Sequence, residues 1–226
     1  MIRIATLQFN SFGENTYVIY DDTRECIIVD PGCCSRKERE TFDAFIEKNG
    51  LTPKMVVGTH GHVDHICGVQ YVKKKYGILF ALHSMDRPLL DMAPMLGREY
   101  GFEVDSVPEI DLDLADVQQL IFGDSCVEVI HTPGHAPGHV VIYLPEEGVL
   151  LSGDLIFKGS IGRTDLPGGS YPVIMESIID KVIVLPGSTR VFPGHGPSTQ
   201  ISHEIMFNPF IAEALSGEIN YRPNEN

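Results

Sequence analysis

The segment Thr59-His60-Gly61-His62-Val63-Asp64-His65 sets four metal-capable side chains within six residues. In extended backbone side chains repeat every second residue, so His60, His62 and Asp64 point one way, and a chain then turning into a helix swings His65 to the same place. A catalytic zinc takes three protein ligands and keeps one position for water. Four donors from one short piece exceed what a single ion needs and predict a two-metal site. The plain alternative is a histidine-rich surface turn with Asp64 capping the next helix. A lone HxH would favour that turn, whereas the dense HxHxDH spacing favours the metal.

The elements that must hold these side chains can be read on either side. Met55-Val56-Val57 is a buried strand running into the motif, and Val69, Val72 and Tyr76 recur at helical spacing after it. Upstream, Ile2 to Leu7, Thr16 to Tyr20 and Cys26 to Val29 read as strands. The last ends at Asp30-Pro31-Gly32, and a helix lies between Arg36 and Lys48. Downstream, Ile78 to Leu82 is a strand and Ser84 to Leu96 a helix broken by Pro94. An acidic, irregular loop is expected from Gly101 to Asp116. Short apolar strands follow at Val127 to Ile130, Val140 to Leu144, Val149 to Leu151 and Val191-Phe192. Helices are expected from Pro172 to Val184 and near His203, with fraying beyond Phe210. Strands in two sets with helices among them suggest sheet packed on sheet with helices outside, but periodicity alone does not select that architecture.

Three further segments join the motif in a fixed order: Thr132-Pro133-Gly134-His135, Ser152-Gly153-Asp154, and Pro193-Gly194-His195-Gly196-Pro197. Together the four resemble the signature set of the metallo-β-lactamase superfamily over about Asn15 to Phe210. The resemblance implies a mixed α/β protein with the αββα sandwich fold, as one domain over 1–226, with metals at one edge between the sheets. It implies one ion on His60, His62 and His135, a second on Asp64, His65 and His195, and Asp154 bridging. Zinc is the first expectation, with iron or manganese as alternatives. A hydroxide between the two ions is the implied nucleophile, so Asp64, His60, His62 and His135 are the implied catalytic set. Asp30, in the family's Asp-Pro-Gly, is expected to hold the metal loop by hydrogen bonds rather than to bind metal. His139 stands where relatives commonly carry a small hydroxyl residue, which leaves one local hydrogen bond open. No catalytic task is assigned to His131, His139 or His203, and His83 is read as structural.

Composition narrows the partners. The net charge of −14, with 17 Lys and Arg against 31 Asp and Glu, argues against nucleic acid, and the run Lys73-Lys74-Lys75 reads as a solvated helix face. No apolar stretch reaches the ~20 residues of a membrane span, and Met1-Ile2-Arg3 leads straight into a strand, so a cytoplasmic location is expected. Five cysteines without CxxC spacing are expected to be free thiols, and none has the setting of a nucleophile.

The segment Phe157 to Gly169 resembles the glyoxalase II-like branch. That resemblance implies a thioesterase acting on S-acylglutathione, such as S-lactoylglutathione, or a related small thioester, with Arg163 meeting a glutathione carboxylate. The Gly162-Arg163-Thr164-Asp165 stretch also resembles persulfide dioxygenases, which use one iron on two histidines and an aspartate; His60, His135 and Asp154 could supply these. Glyoxalase II enzymes carry a further C-terminal helical region with basic and aromatic contacts, whereas this sequence reaches Asn226 soon after the last histidine loop. Arg163 and Tyr171 would then carry recognition nearly alone, giving a high KM.

Overall fold

The computed structural model describes residues 1–104, 106–114 and 118–216. One sheet contains β1 (Arg3–Phe9), β2 (Glu14–Tyr20), β3 (Glu25–Val29), β4 (Thr52–Val57), β5 (Leu79–Leu82) and β6 (Leu112–Asp113) in that spatial order. Short turns make β1, β2 and β3 antiparallel. From β3 onward the pairing is parallel, because helical crossovers intervene: α1 (Arg36–Lys48), then α2 (Val63–Ile66) and α3 (Val69–Tyr76), then α4 (Arg87–Tyr100).

The second sheet begins with an antiparallel meander of β7 (Gln118–Phe122), β8 (Ser125–His131), β9 (Val140–Leu144) and β10 (Val149–Gly153). A small hairpin, β11 (Ile156–Phe157) with β12 (Ser160–Ile161), and α5 (Tyr171–Ser177) follow. Then β13 (Arg190–Pro193) returns parallel to β10, and β14 (Thr199–Gln200) forms the edge beside it. The described chain closes with α6 (Ile201–Phe207) and α7 (Pro209–Ser216).

Three apolar clusters show how these elements stack. In β2, Val18 packs outward with Phe42, Ile46 and Val72 of the helices, whereas Tyr17 and Ile19 face Val127, Val129 and Ile142 of the other sheet. In β9, Val140, Ile142 and Leu144 face inward, whereas Val141 and Tyr143 pack on Ile174 and Ile178. A strand covered on both faces has no solvent side to mark with polar residues, which is why β9 reads as one continuous apolar run. The order of layers is helix, sheet, sheet, helix, as the resemblance implied.

Local chemistry sets the boundaries. Ser35 caps α1 in a reciprocal box with Glu38, whose Oε2 accepts from the Ser35 N–H at 2.8 Å, while Oε1 accepts from the Asn10 N–H at 2.7 Å. Four expectations change. Pro94 does not break its helix: α4 runs through it to Tyr100 because Leu89, Leu90, Ala93 and Gly97 form a buried stripe whose packing outweighs the lost backbone bond. The chain stays helical past Phe210 to Ser216, with Ile211 buried; residues 217–226, to which the expected fraying also applied, lie outside the described residues. The loop from Gly101 contains β6 and buries Phe102 and Leu114, while 105, 115 and 116 lie outside the described residues. Finally, Cys34 and Cys67 form a disulfide; Cys26, Cys33 and Cys126 are free. The bridge ties the loop after β3 to the end of α2, a proximity invisible across 33 residues of sequence.

Candidate metal centre

The first sheet's β4 and the second sheet's β10 and β13 end at one edge of the sandwich, and the loop between β8 and β9 lies with them. Thr59 to His65 leave β4, with His62 at the N-cap of α2 and Asp64 and His65 inside that short helix. Asp64 therefore reaches the site from helical rather than extended backbone. Asp154 follows β10, His195 follows β13, and His135 lies between β8 and β9.

All seven sequence-predicted ligands converge there. The donor atoms of His60, His62 and His135 lie within 4.8 Å of one another, as do those of Asp64, His65 and His195. His62 Nδ1 is 2.9 Å from His135 Nε2, and His65 Nε2 is 3.2 Å from His195 Nε2. Asp154 spans the two groups: Oδ1 is 3.4 Å from His65 Nε2, and Oδ2 is 3.7 Å from His135 Nε2 and 3.6 Å from His195 Nε2. Tetrahedral Zn–N bonds of about 2.0–2.1 Å place donors about 3.3 Å apart, so the spacing suits ions of that size. Three buried atoms of the set, His60 Nε2, His62 Nε2 and Asp154 Oδ1, have no hydrogen-bond partner. Buried polar atoms without partners are costly, and divalent cations held by the inward-facing His60 Nε2 and Asp154 Oδ1 would satisfy those two.

The surrounding contacts orient each ring. His135 Nδ1 donates to the Arg163 carbonyl at 2.8 Å and His195 Nδ1 to the Phe12 carbonyl at 3.1 Å, which leaves both Nε2 atoms as inward lone pairs. Thr59 donates its hydroxyl to Asp30 Oδ2 at 2.5 Å and accepts from His60 Nδ1 at 3.0 Å. Asp30 also accepts from the Thr59 N–H at 2.6 Å and pairs with His65 Nδ1 at 3.0 Å. Asp30, His60 and His65 are close enough to form a third ligand group, but both Asp30 oxygens already hold the loop, the role expected for it. Asp30 has φ of 49°, a left-handed conformation that costs a non-glycine residue energy and is retained through these bonds. At Gly194 any Cβ would lie 2.2 Å from Asp154 Oδ1, so the histidine loop approaches the carboxylate only as glycine.

Burial drives His60 and His139 well below the usual imidazole range, and it lowers His62 to about 3 with help from His135. Neutral rings are the ligating form. Burial works against ionising Asp154, yet His65, His135 and His195 hold its carboxyl far below the ordinary range. For His65, burial is outweighed by Asp154, Asp64 and Asp30, which favour a charged ring at this position.

Asp86, Asn15 and Asn10 had no signal in the sequence, and His139 had one without an assigned partner. Asp86, fully buried just before α4, accepts from the Gly61 N–H at 2.8 Å and the Gly138 N–H at 2.6 Å, joining the two loops that carry His60, His62 and His135. His139 Nε2 accepts from the Asp154 N–H at 3.1 Å while Nδ1 faces the Thr132 hydroxyl at 3.0 Å, which supplies the hydrogen bond left open above. Asn15 donates to the carbonyls of Pro193 and Gly196 at 3.0 and 2.9 Å and steadies the His195 loop. Asn10 holds the Asp64 carbonyl at 2.9 Å.

The side chains of the other singled-out residues make their contacts outside the ligand groups, although the Arg163 carbonyl holds His135. His83 and His131 stack with ring centroids 4.3 Å apart. Arg163 forms a bidentate pair with Asp165, both contacts 2.8 Å, with its side chain 61% exposed. Tyr171 packs among the apolar residues of the outer cluster with Phe210 and Ala214. Lys73 pairs with Asp111 at 2.6 Å and Lys75 with Asp43, so that run is largely neutralised. No helix of the described residues is long and apolar enough to cross a membrane.

A four-layer sandwich with a convergent His/Asp cluster at its edge is the architecture of a metal-binding enzyme. The chain belongs to the metallo-beta-lactamase superfamily, whose family model matches residues 10–195. It is 36% identical over 210 residues to the probable metallo-hydrolase YqgX of Bacillus subtilis (strain 168), covering 92% of this chain and 94% of that protein. It is 32% identical over 217 residues to the hydroxyacylglutathione hydrolase GloC of Haemophilus influenzae, covering 93% and 98%. Among solved structures, the BLEG-1 B3 metallo-beta-lactamase matches with TM-score 0.84 at 37% identity, over 92% of this chain and 99% of that one. TTHA1623 in a di-iron-bound form matches with TM-score 0.82 at 34% identity, over 91% and 99%.

Proposed function

We propose that the protein is a binuclear metallohydrolase acting on a small thioester, with S-acylglutathione, such as S-lactoylglutathione, as its first candidate substrate. His60, His62 and His135 would hold one divalent ion, Asp64, His65 and His195 the other, and Asp154 would lie between them. The observation that carries the reading is the position of Asp154, whose two oxygens reach both ligand groups. The hydroxyacylglutathione hydrolase name of the Haemophilus influenzae relative supports the substrate class, and the di-iron form of TTHA1623 keeps iron beside zinc and manganese as the resident metal.

Two ions so held would supply Lewis acidity, making a water nucleophilic near neutral pH and stabilising negative charge on an acyl oxygen. The chain's own part is orientation: the Arg163 and Phe12 carbonyls fix the His135 and His195 tautomers, and Asp30 and Asp86 hold the loops. A thiolate leaves without strong protonation, since its pKa is about 8.5. We assign Arg163 to a substrate carboxylate, for which it must exchange Asp165, and keep Tyr171 as a weaker candidate contact.

Metal analysis and thioester turnover on the same sample test the reading. About two ions per chain and hydrolysis of S-lactoylglutathione are expected. One ion per chain, or no thioester turnover when loaded with zinc, manganese or iron, refutes it. The mononuclear iron persulfide dioxygenase remains the second reading, since His60, His135 and Asp154 include a facial triad; it predicts one iron and oxygen uptake with glutathione persulfide. The assembled Asp64, His65 and His195 group favours the hydrolase.

A further inference from the structure

A surface cavity of about 430 Å³ is lined by Lys158, Arg190, Ser198, Thr199, Gln200 and His203. None of these belongs to the convergent ligand set. Lys158 stands at the tip of the β11–β12 hairpin, Arg190 opens β13, Thr199 and Gln200 form β14, and His203 lies on α6. One buried residue fastens the parts together. Glu204, 0% exposed, accepts from the Thr199 hydroxyl at 2.5 Å, the Gly159 N–H at 2.8 Å and the Asn208 side-chain amide at 2.9 Å.

Two cations here lack a carboxylate partner, as Arg24, Lys37, Lys48 and Lys74 also do among the described residues. With 17 Lys and Arg against 31 Asp and Glu, cations elsewhere commonly rest on carboxylates: Arg3 on Asp22, Lys54 on Glu25, Lys73 on Asp111, Arg87 on Asp91, Arg163 on Asp165. Among the described residues, no carboxylate pairs with Lys158 or Arg190. The Arg190 guanidinium lies 5.6 Å from the Phe192 ring, a contact that orients it without neutralising it. Glu204 subtracts one charge; its oxygens face three donors and Oε1 lies 4.0 Å from His203 Nε2, so two cations remain.

We propose that this cavity binds the phosphate group of an organic ligand. A guanidinium fork, an ammonium, the Ser198 hydroxyl and an imidazole offer donors from several directions, which suits a phosphate with three oxygens better than a planar carboxylate. The volume leaves room for the organic part. Phe157, beside Lys158, has its ring 6.4 Å from that of His195, so the β11–β12 hairpin runs from the candidate metal centre to the cavity, while Arg190 and Gln200 lie at the end of β13 remote from His195. The phosphate can therefore come from two sources: a thioester whose thiol carries phosphate, which rests on the thioesterase reading, or a free phosphorylated metabolite, which does not.

The test begins with calorimetric titration of the metal-loaded protein with inorganic phosphate, comparing the parent with a Lys158→Ala/Arg190→Ala double variant. Phosphate at the metal centre contributes equally to both, so the difference reads the cavity. About tenfold weaker binding to the double variant, and a parent affinity that falls with added salt, are expected. Identical isotherms, or no phosphate binding outside the metal centre, overturn the proposal. Both positions are exposed, and equal melting temperatures confirm that folding is intact. One acyl group is then offered on coenzyme A and on uncharged N-acetylcysteamine. A loss in kcat/KM of about fivefold or more confined to the coenzyme A ester assigns the phosphate to the substrate. Unchanged rates on both esters, with phosphate affinity lost, assign it to a free metabolite. If neither of these esters nor S-lactoylglutathione is turned over, the thioesterase reading fails while the phosphate isotherms still decide this site.

Discussion

Asp86→Ala should separate the two loops that carry His60, His62 and His135. The carboxylate is fully buried and bonds Gly61 N–H and Gly138 N–H at 2.8 and 2.6 Å, so its removal leaves two buried donors unpaired. Each costs about 1–3 kcal/mol, or about 2–6 kcal/mol together. Part of this is offset, because burial pushes the Asp86 carboxyl up to about 6 and the variant no longer buries that charge at neutral pH. A rise of about two units corresponds to about 3 kcal/mol, which leaves a net change between about 1 kcal/mol of stabilisation and about 3 kcal/mol of loss. Gly61 lies between His60 and His62, so the same change should weaken metal binding by about 10- to 100-fold, the usual effect of removing a group that orients ligands. Denaturant unfolding at saturating metal gives the first number and competition with a chelator the second. Asp86→Asn keeps one acceptor and should fall between parent and Ala. If Asp86→Ala matches the parent within about 0.5 kcal/mol and about threefold in metal affinity, Asp86 does not couple the loops and the reasoning fails.

The same residue predicts a pH dependence. A carboxyl raised from 3.8 to about 6 contributes stability that is complete below about pH 4 and lost as pH rises through about 6, so the stability of the parent relative to Asp86→Asn should fall by up to about 3 kcal/mol over that window; a flat difference would count against it. Gly194→Ala places a Cβ where only 2.2 Å separates it from Asp154 Oδ1, and metal analysis should find fewer than two ions per chain. His139→Phe keeps the ring but removes the acceptor for the Asp154 N–H, and kcat on a thioester should fall about 10- to 100-fold with little change in KM. Reducing Cys34–Cys67, which closes a loop of 33 residues, should lower unfolding free energy by about 2–4 kcal/mol in the chain-entropy account, and an unchanged denaturation midpoint in reductant would contradict it.

Of the seven convergent side chains, His60, His62, Asp64 and His65 were legible because imidazole and carboxylate declare their chemistry by type and crowd the end of an apolar run, whereas His135, Asp154 and His195 came from the family resemblance. His60 after Val56-Val57 is readable for that reason, whatever the sheets do. Asp30 as a loop holder and the four layers came from resemblance rather than periodicity. Val18 and Ile19 look alike in the sequence, yet one packs under helices and the other under a second sheet. Asp86 and Asn15 carried no signal, and His139 carried one without a partner, because a polar side chain takes its role from whichever partner the fold brings to it. For Asp86 these are N–H groups 25 and 52 residues away, for Asn15 carbonyls 178 and 181 residues away, and for His139 an N–H 15 residues away and the Thr132 hydroxyl. The same holds for Cys34 and Cys67, and for Lys158 and Arg190, whose meeting depends on β11–β12 and β13 packing beside α6. A ligand set follows from side-chain chemistry, whereas the network that orients it follows from distances that exist only once both sheets are stacked.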